Sequence, residues 1–179
     1  MNIAERIMQT HVWKWLINAE RFVEFVSSAV VIITLTLVVL GRHIFHYNFL
    51  GYTEILVLAA FWMYFIGASA GSYEESHITA DILSQFVGER TKLKLGLFSK
   101  FMQVIIGVPL IMLSWGMLKF DIQTGQTTVD LEIPLLYSQA PILIGFALMT
   151  FYAFIYIIRD IYRLRELKDE PAAPAEEKK

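Results

Sequence analysis

The chain has 179 residues, of which 56% are apolar and only 18% are charged, and its mean hydropathy is +0.52. The apolar share exceeds the roughly 45–50% typical of soluble domains, so neither an ordinary soluble domain nor a disordered chain is expected. A net charge of −2 excludes the strongly basic surface that nucleic-acid binding requires. The absence of cysteine excludes disulfides, thiolate metal sites and thiol nucleophiles.

Four apolar runs predict an all-α integral membrane protein. A hydrocarbon core about 30 Å thick needs about 20 apolar residues at 1.5 Å per residue. The predicted spans cover about residues 22–41, 52–71, 101–118 and 135–158. We expect them to form one membrane domain, residues 1–165, followed by a disordered tail rich in Pro and Glu, residues 166–179.

The distribution of Lys and Arg predicts the orientation of the four spans. Thirteen of the fifteen lie on the side that holds both termini and the connection between the second and third spans. The opposite side has only Arg42 and Lys119. Because basic residues concentrate in cytoplasmic segments, we expect both termini and the tail to be cytoplasmic.

Two amphipathic segments outside the spans predict helices that lie on the membrane surface. Residues 3–20 predict an interfacial helix anchored by Trp13 and Trp15 in the headgroup layer, with a solvated lead-in as the alternative. Residues 76–86 repeat apolar side chains every four positions and predict a second such helix. The basic residues that follow would meet anionic lipid: Arg90, Lys92 and Lys94.

The sequence offers little for catalysis or ion transport. All four histidines lie outside the apolar runs or at their ends, which argues against haem held between spans. Glu24 and Glu54 lie near span ends, so no carboxylate is placed deep in the membrane to couple an ion to transport. There is no Gly-rich phosphate loop and no nucleophile–base set, so an enzyme is not expected.

The remaining candidates concern helix contact. Gly67 and Gly71 form a small-xxx-small pair that permits close helix packing. Trp62, near the middle of the second span, would anchor either a partner helix or its own bundle. Arg42 ends the first span and Glu54 begins the second, which predicts a salt bridge between them.

Several motifs, in order along the spans, resemble one family. The family pattern is an Arg, a Phe three residues later, and then aromatic-x-Glu-Glu at the start of the second span. The matching residues here are Arg42-His43-Ile44-Phe45 and Tyr52-Thr53-Glu54-Ile55. Two positions depart from the pattern, since Tyr52 replaces the usual Trp and Ile55 replaces the second Glu. The other matches are the aromatic stretch 61–68, His77-Ile78-x-x-Asp81, Gly125-Gln126-Thr127-Thr128 and Leu131-Glu132-Ile133-Pro134. The family is the small membrane subunit, the Q-type or DctQ-like component, of tripartite ATP-independent periplasmic (TRAP) transporters.

This resemblance implies a multi-pass subunit of a bacterial inner-membrane secondary transporter. It implies that a periplasmic binding protein captures an organic acid, such as a sialic acid or a C4-dicarboxylate, and that a large multi-span subunit imports it with sodium. Sodium is expected in the large subunit, and no cofactor is expected here. His77, Asp81 and Pro134 are implied to be structural.

We therefore expect a non-catalytic subunit that braces the large one, whose outer loops 42–51 and 119–134 also touch the binding protein. One alternative is an independent small transporter that forms homo-oligomers through Gly67 and Gly71. A second alternative is the membrane subunit of an oxidoreductase.

Overall fold

A computed structural model shows four long α-helices. It describes residues 8, 10–44, 46, 50–74 and 89–169, apart from the side chains of residues 89–92 and 166–169. The helices are α1 His11–Ile44, α2 Tyr52–Tyr73, α3 Glu89–Thr124 and α4 Leu135–Asp169. Each of them contains a stretch long and apolar enough to cross a membrane, which confirms the prediction of four membrane-spanning helices.

The helices are longer than the apolar runs inside them. Residues 11–20 continue directly into the first span, so this part of the predicted interfacial helix is not a separate element. Residues 166–169 of the predicted disordered tail are the last residues of α4. A helix continues past its apolar run when no Gly or Pro interrupts it, and neither junction contains one. Residues 3–7, 76–86 and 170–179 lie outside the described part of the chain.

The four helices do not pack in sequence order. Within the described residues, α1 packs on α2, α2 packs on α4 and α4 packs on α3, so that α1 and α3 form opposite edges. Two close approaches mark the inner interfaces: Gly145 of α4 lies against the backbone of Phe65 in α2, and Gly107 of α3 lies against Thr150 of α4. Large apolar side chains remain exposed along both edge helices.

Helix directions follow from paired residues. α1 and α2 are antiparallel, because Glu20 faces Ser69 and Glu24 faces Gly67. α2 and α4 are parallel, because Phe65 meets Phe146 and Tyr73 meets Tyr152. With α3 antiparallel to α4, both ends of the described chain lie at one end of the bundle, here called the terminal end; the opposite end is called the distal end.

The buried core lies at the terminal end and is mostly aromatic. Trp13 and Ile17 of α1 pack with Tyr152, Ile155 and Tyr156 of α4. The ring of Trp13 meets that of Tyr152 edge-on at 5.2 Å between centroids. α1 therefore contacts α4 through large side chains over its first turns, although α2 lies between the two helices along most of their length.

Candidate functional site

A short hairpin closes the distal end between α3 and α4. Thr127 and Pro134 form an isolated antiparallel bridge, and the Thr128 N–H donates to the Ile133 carbonyl oxygen at 2.9 Å. The Thr128 hydroxyl accepts from the Ile133 N–H at 3.0 Å. We call residues 125–134 the distal hairpin. Its backbone hydrogen bonds give it a defined shape, which its position between two membrane spans does not by itself require.

The carboxylate of Glu54, in the first turn of α2, holds the tip of the distal hairpin. One oxygen accepts the Asp130 N–H at 2.7 Å and the other accepts the Leu131 N–H at 2.9 Å. Hydrogen bonds to an ionised acceptor are stronger than neutral ones, and the two-pronged geometry fixes orientation. A side chain near the distal end of α2 thereby fastens the connection between α3 and α4.

Gly51 provides the space for this contact. Its φ of 77° lies in the left-handed region that favours glycine. A Cβ atom built on Gly51 would lie 2.6 Å from Cγ of Leu131, so the hairpin packs directly on the turn before α2. Any other residue at position 51 would combine backbone strain with a steric clash.

The structure gives Glu54 a partner different from the predicted Arg42. Both carboxylate oxygens are used by the hairpin. Arg42 lies exposed in the last turn of α1, and no ion pair between the two residues is found in the described ranges. Sequence proximity suggested Arg42, whereas the actual partners are 76 and 77 residues away.

At the terminal end, Glu20 joins three helices. This buried carboxylate of α1 accepts a hydrogen bond from the Ser69 hydroxyl of α2 at 3.3 Å and another from the Tyr152 hydroxyl of α4. Buried charged groups are tolerated when such donors compensate for lost water. We call Glu20, Ser69 and Tyr152 the carboxylate junction. Sequence reasoning missed it, although Tyr152 and Tyr156, four residues apart at the end of an apolar run, could have indicated a polar contact there.

Trp13 is placed differently from the prediction. It is only 4% exposed and packs against the rings of Tyr73 and Tyr152, so the predicted role of this residue as an interfacial anchor is wrong. The reason is that residue 13 lies on the face of α1 that turns toward α2 and α4. Trp15, two residues on, is 69% exposed, and its role as an anchor remains a prediction.

A second charged cluster ties α3 to α4 at the terminal end. The buried Asp160 carboxylate pairs with Lys100 Nζ at 2.6 Å and with Arg159 at 3.0 Å. Both cations also lie over the ring of Tyr156, at 5.4 Å and 4.6 Å from its centroid. Two cations share one carboxylate and one aromatic face, so the cluster is compensated within the chain.

Other predicted residues also have contacts within the chain. Nε1 of Trp62 donates to the Tyr137 carbonyl oxygen at 3.0 Å, which places this residue between α2 and α4. Gly67 lies against the carboxylate of Glu24 in α1, so it serves an internal helix contact. Pro134 accepts from the Tyr137 N–H at 3.0 Å and leads into α4.

For the rest of the predicted set, the structure gives only positions. Gly71 lies in the last turns of α2, and Lys94 is exposed near the start of α3. Arg90 and Lys92 belong to α3, but their side chains are not among those described. His77 and Asp81 lie outside the described residues.

These clusters hold helices together and do not assemble reactive groups. In the ranges that the structure describes, no three His, Asp or Glu side chains are grouped so that they could hold a metal ion. Within the carboxylate junction, the polar groups bond to one another. The same holds within the Asp160 cluster. The arrangement provides mechanical connection between helices at both ends of the bundle.

Comparison with known proteins identifies the family. The model of the family described as "Tripartite ATP-independent periplasmic transporters, DctQ component" matches residues 30–163, about three-quarters of the chain. The curated proteins contain no match. The matched region begins inside α1, includes α2, α3 and the distal hairpin, and ends in α4. The chain therefore belongs to the DctQ family and is a small membrane subunit of a TRAP transporter, a family of transporter components and not of enzymes.

Proposed function

We propose that this subunit braces the large membrane subunit of a sodium-coupled TRAP transporter, which imports an organic acid delivered by a periplasmic binding protein. Membership in the DctQ family supports the three-part assembly. The observation that carries the bracing role is that polar connections at both ends bind four long helices into one body. Glu54 fastens the distal end, whereas Glu20 and Asp160 fasten the terminal end.

The edge helices provide the surface for lateral assembly. α1 and α3 form the two edges of the bundle and expose large apolar side chains along their length. A body of this kind can lie beside a second membrane protein without supplying any group to the transported solute. Sodium and the organic acid are then handled in the large subunit, whose moving part requires a stationary support.

The charges of the chain support one orientation of the bundle in the membrane. The terminal end and the segments that extend from it contain thirteen Lys and Arg residues, compared with two on the distal side. We propose that the terminal end faces the cytoplasm and the distal hairpin faces the periplasm of a bacterial inner membrane. The chain has no cysteine, so single substitutions test this directly. In intact cells, an impermeant maleimide should label Gln126→Cys and leave Arg165→Cys unlabelled.

Reconstitution tests the function itself. The two membrane subunits should co-purify, and vesicles that contain both should take up organic acid when a sodium gradient and the binding protein are supplied. Vesicles with the large subunit alone should show strongly reduced uptake. Normal uptake without this chain would refute bracing, and uptake by this chain alone would favour an independent transporter.

A further inference from the structure

We infer that Asp121 of α3 and Gln139 of α4 form a polar layer near the distal end of the seam between these helices, and that this layer holds one ordered water molecule. The water donates one hydrogen bond to each side chain and so connects the two helices. None of the clusters described above includes either residue. The site lies inside the bundle, so it does not depend on the proposed bracing role.

Two buried oxygen atoms in this layer accept no hydrogen bond from the described residues: Oδ2 of Asp121 and Oε1 of Gln139. Asp121 is only 5% exposed. A buried oxygen that has lost its hydration and gained no donor is costly, so a bound water or ion commonly satisfies such an atom. The two cations of the distal side, Arg42 and Lys119, are exposed and supply no donor to the buried Asp121 oxygen. The donor therefore comes from outside the described residues.

The register of α3 on α4 places the two side chains opposite each other. Lys100 and Asp160 form an ion pair across this seam. Asp121 lies three heptads after Lys100, and Gln139 lies three heptads before Asp160. In antiparallel helices that pack with a seven-residue repeat, a displacement by whole heptads returns each residue to the same face and keeps the pairs level. The register therefore pairs Asp121 with Gln139.

The positions between the two pairs follow the same face of α3. Gly107 lies one heptad after Lys100 and contacts Thr150 of α4, and Ser114, one heptad further, is buried. At 1.5 Å per residue, three heptads span about 31 Å, which is close to the thickness of the hydrocarbon core. The Lys100 pair and the Asp121 pair therefore lie near opposite surfaces of the hydrocarbon, where water is available.

Size and ligand number favour water as the occupant. Both oxygen atoms are closed off from solvent, so a long basic side chain of another subunit has no open path to them. A hard cation takes about six or more oxygen ligands, and within the described ranges no three acidic or histidine side chains are grouped to hold one. Water has two donors, and two polar partners are enough to hold it inside a protein. The seam is then closed by an ion pair at one surface and by a water bridge at the other.

Cryo-electron microscopy of the wild-type transporter complex tests the inference directly. A map that shows ordered water should contain one isolated peak about 2.5–3.0 Å from both Asp121 Oδ2 and Gln139 Oε1. Three arrangements would overturn the water bridge. The first is a direct hydrogen bond from the Gln139 amide nitrogen to Asp121, with no peak between them. The second is a peak surrounded by additional oxygen ligands at shorter distances, which would identify a cation. The third is a Lys or Arg side chain of the large subunit beside Asp121.

Two matched Asp→Asn variants test the site through the stability of the full chain. Asp121→Asn supplies an N–H donor that can bond directly to Gln139, and it removes a buried charge that only water solvates. The midpoint of unfolding in SDS should therefore equal that of the wild type or exceed it. Asp160→Asn is the control, because the same change removes a carboxylate paired with two cations and should lower the midpoint. A lowered midpoint in Asp121→Asn would show that a cation or an amide N–H pairs with this carboxylate, and the water bridge would be wrong.

Discussion

Glu54 and Asp130 are separated by 76 positions in the chain, yet a 2.7 Å hydrogen bond joins the carboxylate of one to the backbone N–H of the other. This bond connects the start of α2 to the tip of the distal hairpin. Because α2 and α4 are the two inner helices, the bond also fixes the entry to α4 relative to its neighbour. The Glu54 side chain therefore ties the tip of the hairpin to α2.

Glu54→Ala should release the hairpin, since two charge-assisted hydrogen bonds are lost together. Amide exchange at Asp130 and Leu131 should accelerate by an order of magnitude or more. Glu54→Gln keeps one acceptor oxygen and should show an intermediate rate.

Arg42→Ala is the matched control for Glu54→Ala. It should leave the hairpin amides protected, because the structure gives Glu54 partners in the hairpin and not in α1. Equal acceleration in Arg42→Ala and Glu54→Ala would restore the salt bridge suggested by the sequence.

Tyr152→Phe should weaken the carboxylate junction. The variant keeps the ring that packs on Trp13 and removes only the hydroxyl that donates to Glu20. We expect a loss of about 1–2 kcal/mol in the free energy of unfolding, measured by SDS titration in mixed micelles. Tyr64→Phe removes the same atom from an exposed position of α2 and should have no measurable effect. Equal stability of the two variants would contradict a stabilising role for the junction.

The cluster around Asp160 should respond asymmetrically to substitution. Asp160→Asn removes the carboxylate that two cations share, and the loss of a buried partner costs about 3–5 kcal/mol. Lys100→Met removes one cation and leaves Asp160 paired with Arg159, so its cost should be clearly smaller. The same unfolding assay gives the comparison. A greater loss in Lys100→Met would show that Asp160 is not the centre of the cluster.

Gly145→Ala should force α2 and α4 apart. A Cβ atom at position 145 would lie 2.8 Å from the Phe65 carbonyl oxygen, and backbone cannot rotate away as a flexible side chain can. We expect destabilisation of about 1–3 kcal/mol, the usual cost of overpacking. Gly116→Ala is the matched change where a Cβ atom meets nothing within 4 Å, and it should be neutral or slightly stabilising. Similar melting temperatures for both variants would contradict the close approach.

The sequence predicted the four helices because apolar length is a local property that a lipid environment requires. Residues 22–41 and 135–158 lie inside α1 and α4 as observed. The helix ends were less predictable, since hydropathy marks where a helix leaves lipid and not where its backbone hydrogen bonds cease. Trp13 illustrates the difference: its residue type suits an interface, but its helical position directs it into the core.

The polar contacts could be predicted only in part. The sequence singled out Glu54 for a salt bridge to Arg42, but its partners depend on how a hairpin folds more than seventy residues later. Glu20 and Asp160 lie among ordinary charged residues at span ends, where a solvent-exposed position is the usual outcome. Their burial follows from the order in which the helices pack, and no local pattern encodes that order.

The packing order also has a consequence for biogenesis. Synthesis proceeds from α1 to α4, but within the described residues the third helix packs along the fourth and reaches the second through the hydrogen bond from Gln103 to Ser72 at 2.9 Å. The first hairpin can therefore close early, while α3 gains the helix along which it packs only after α4 is inserted. The helix that begins at Leu135 packs on both α2 and α3. The tertiary structure is therefore completed only after this last helix has been synthesised and inserted.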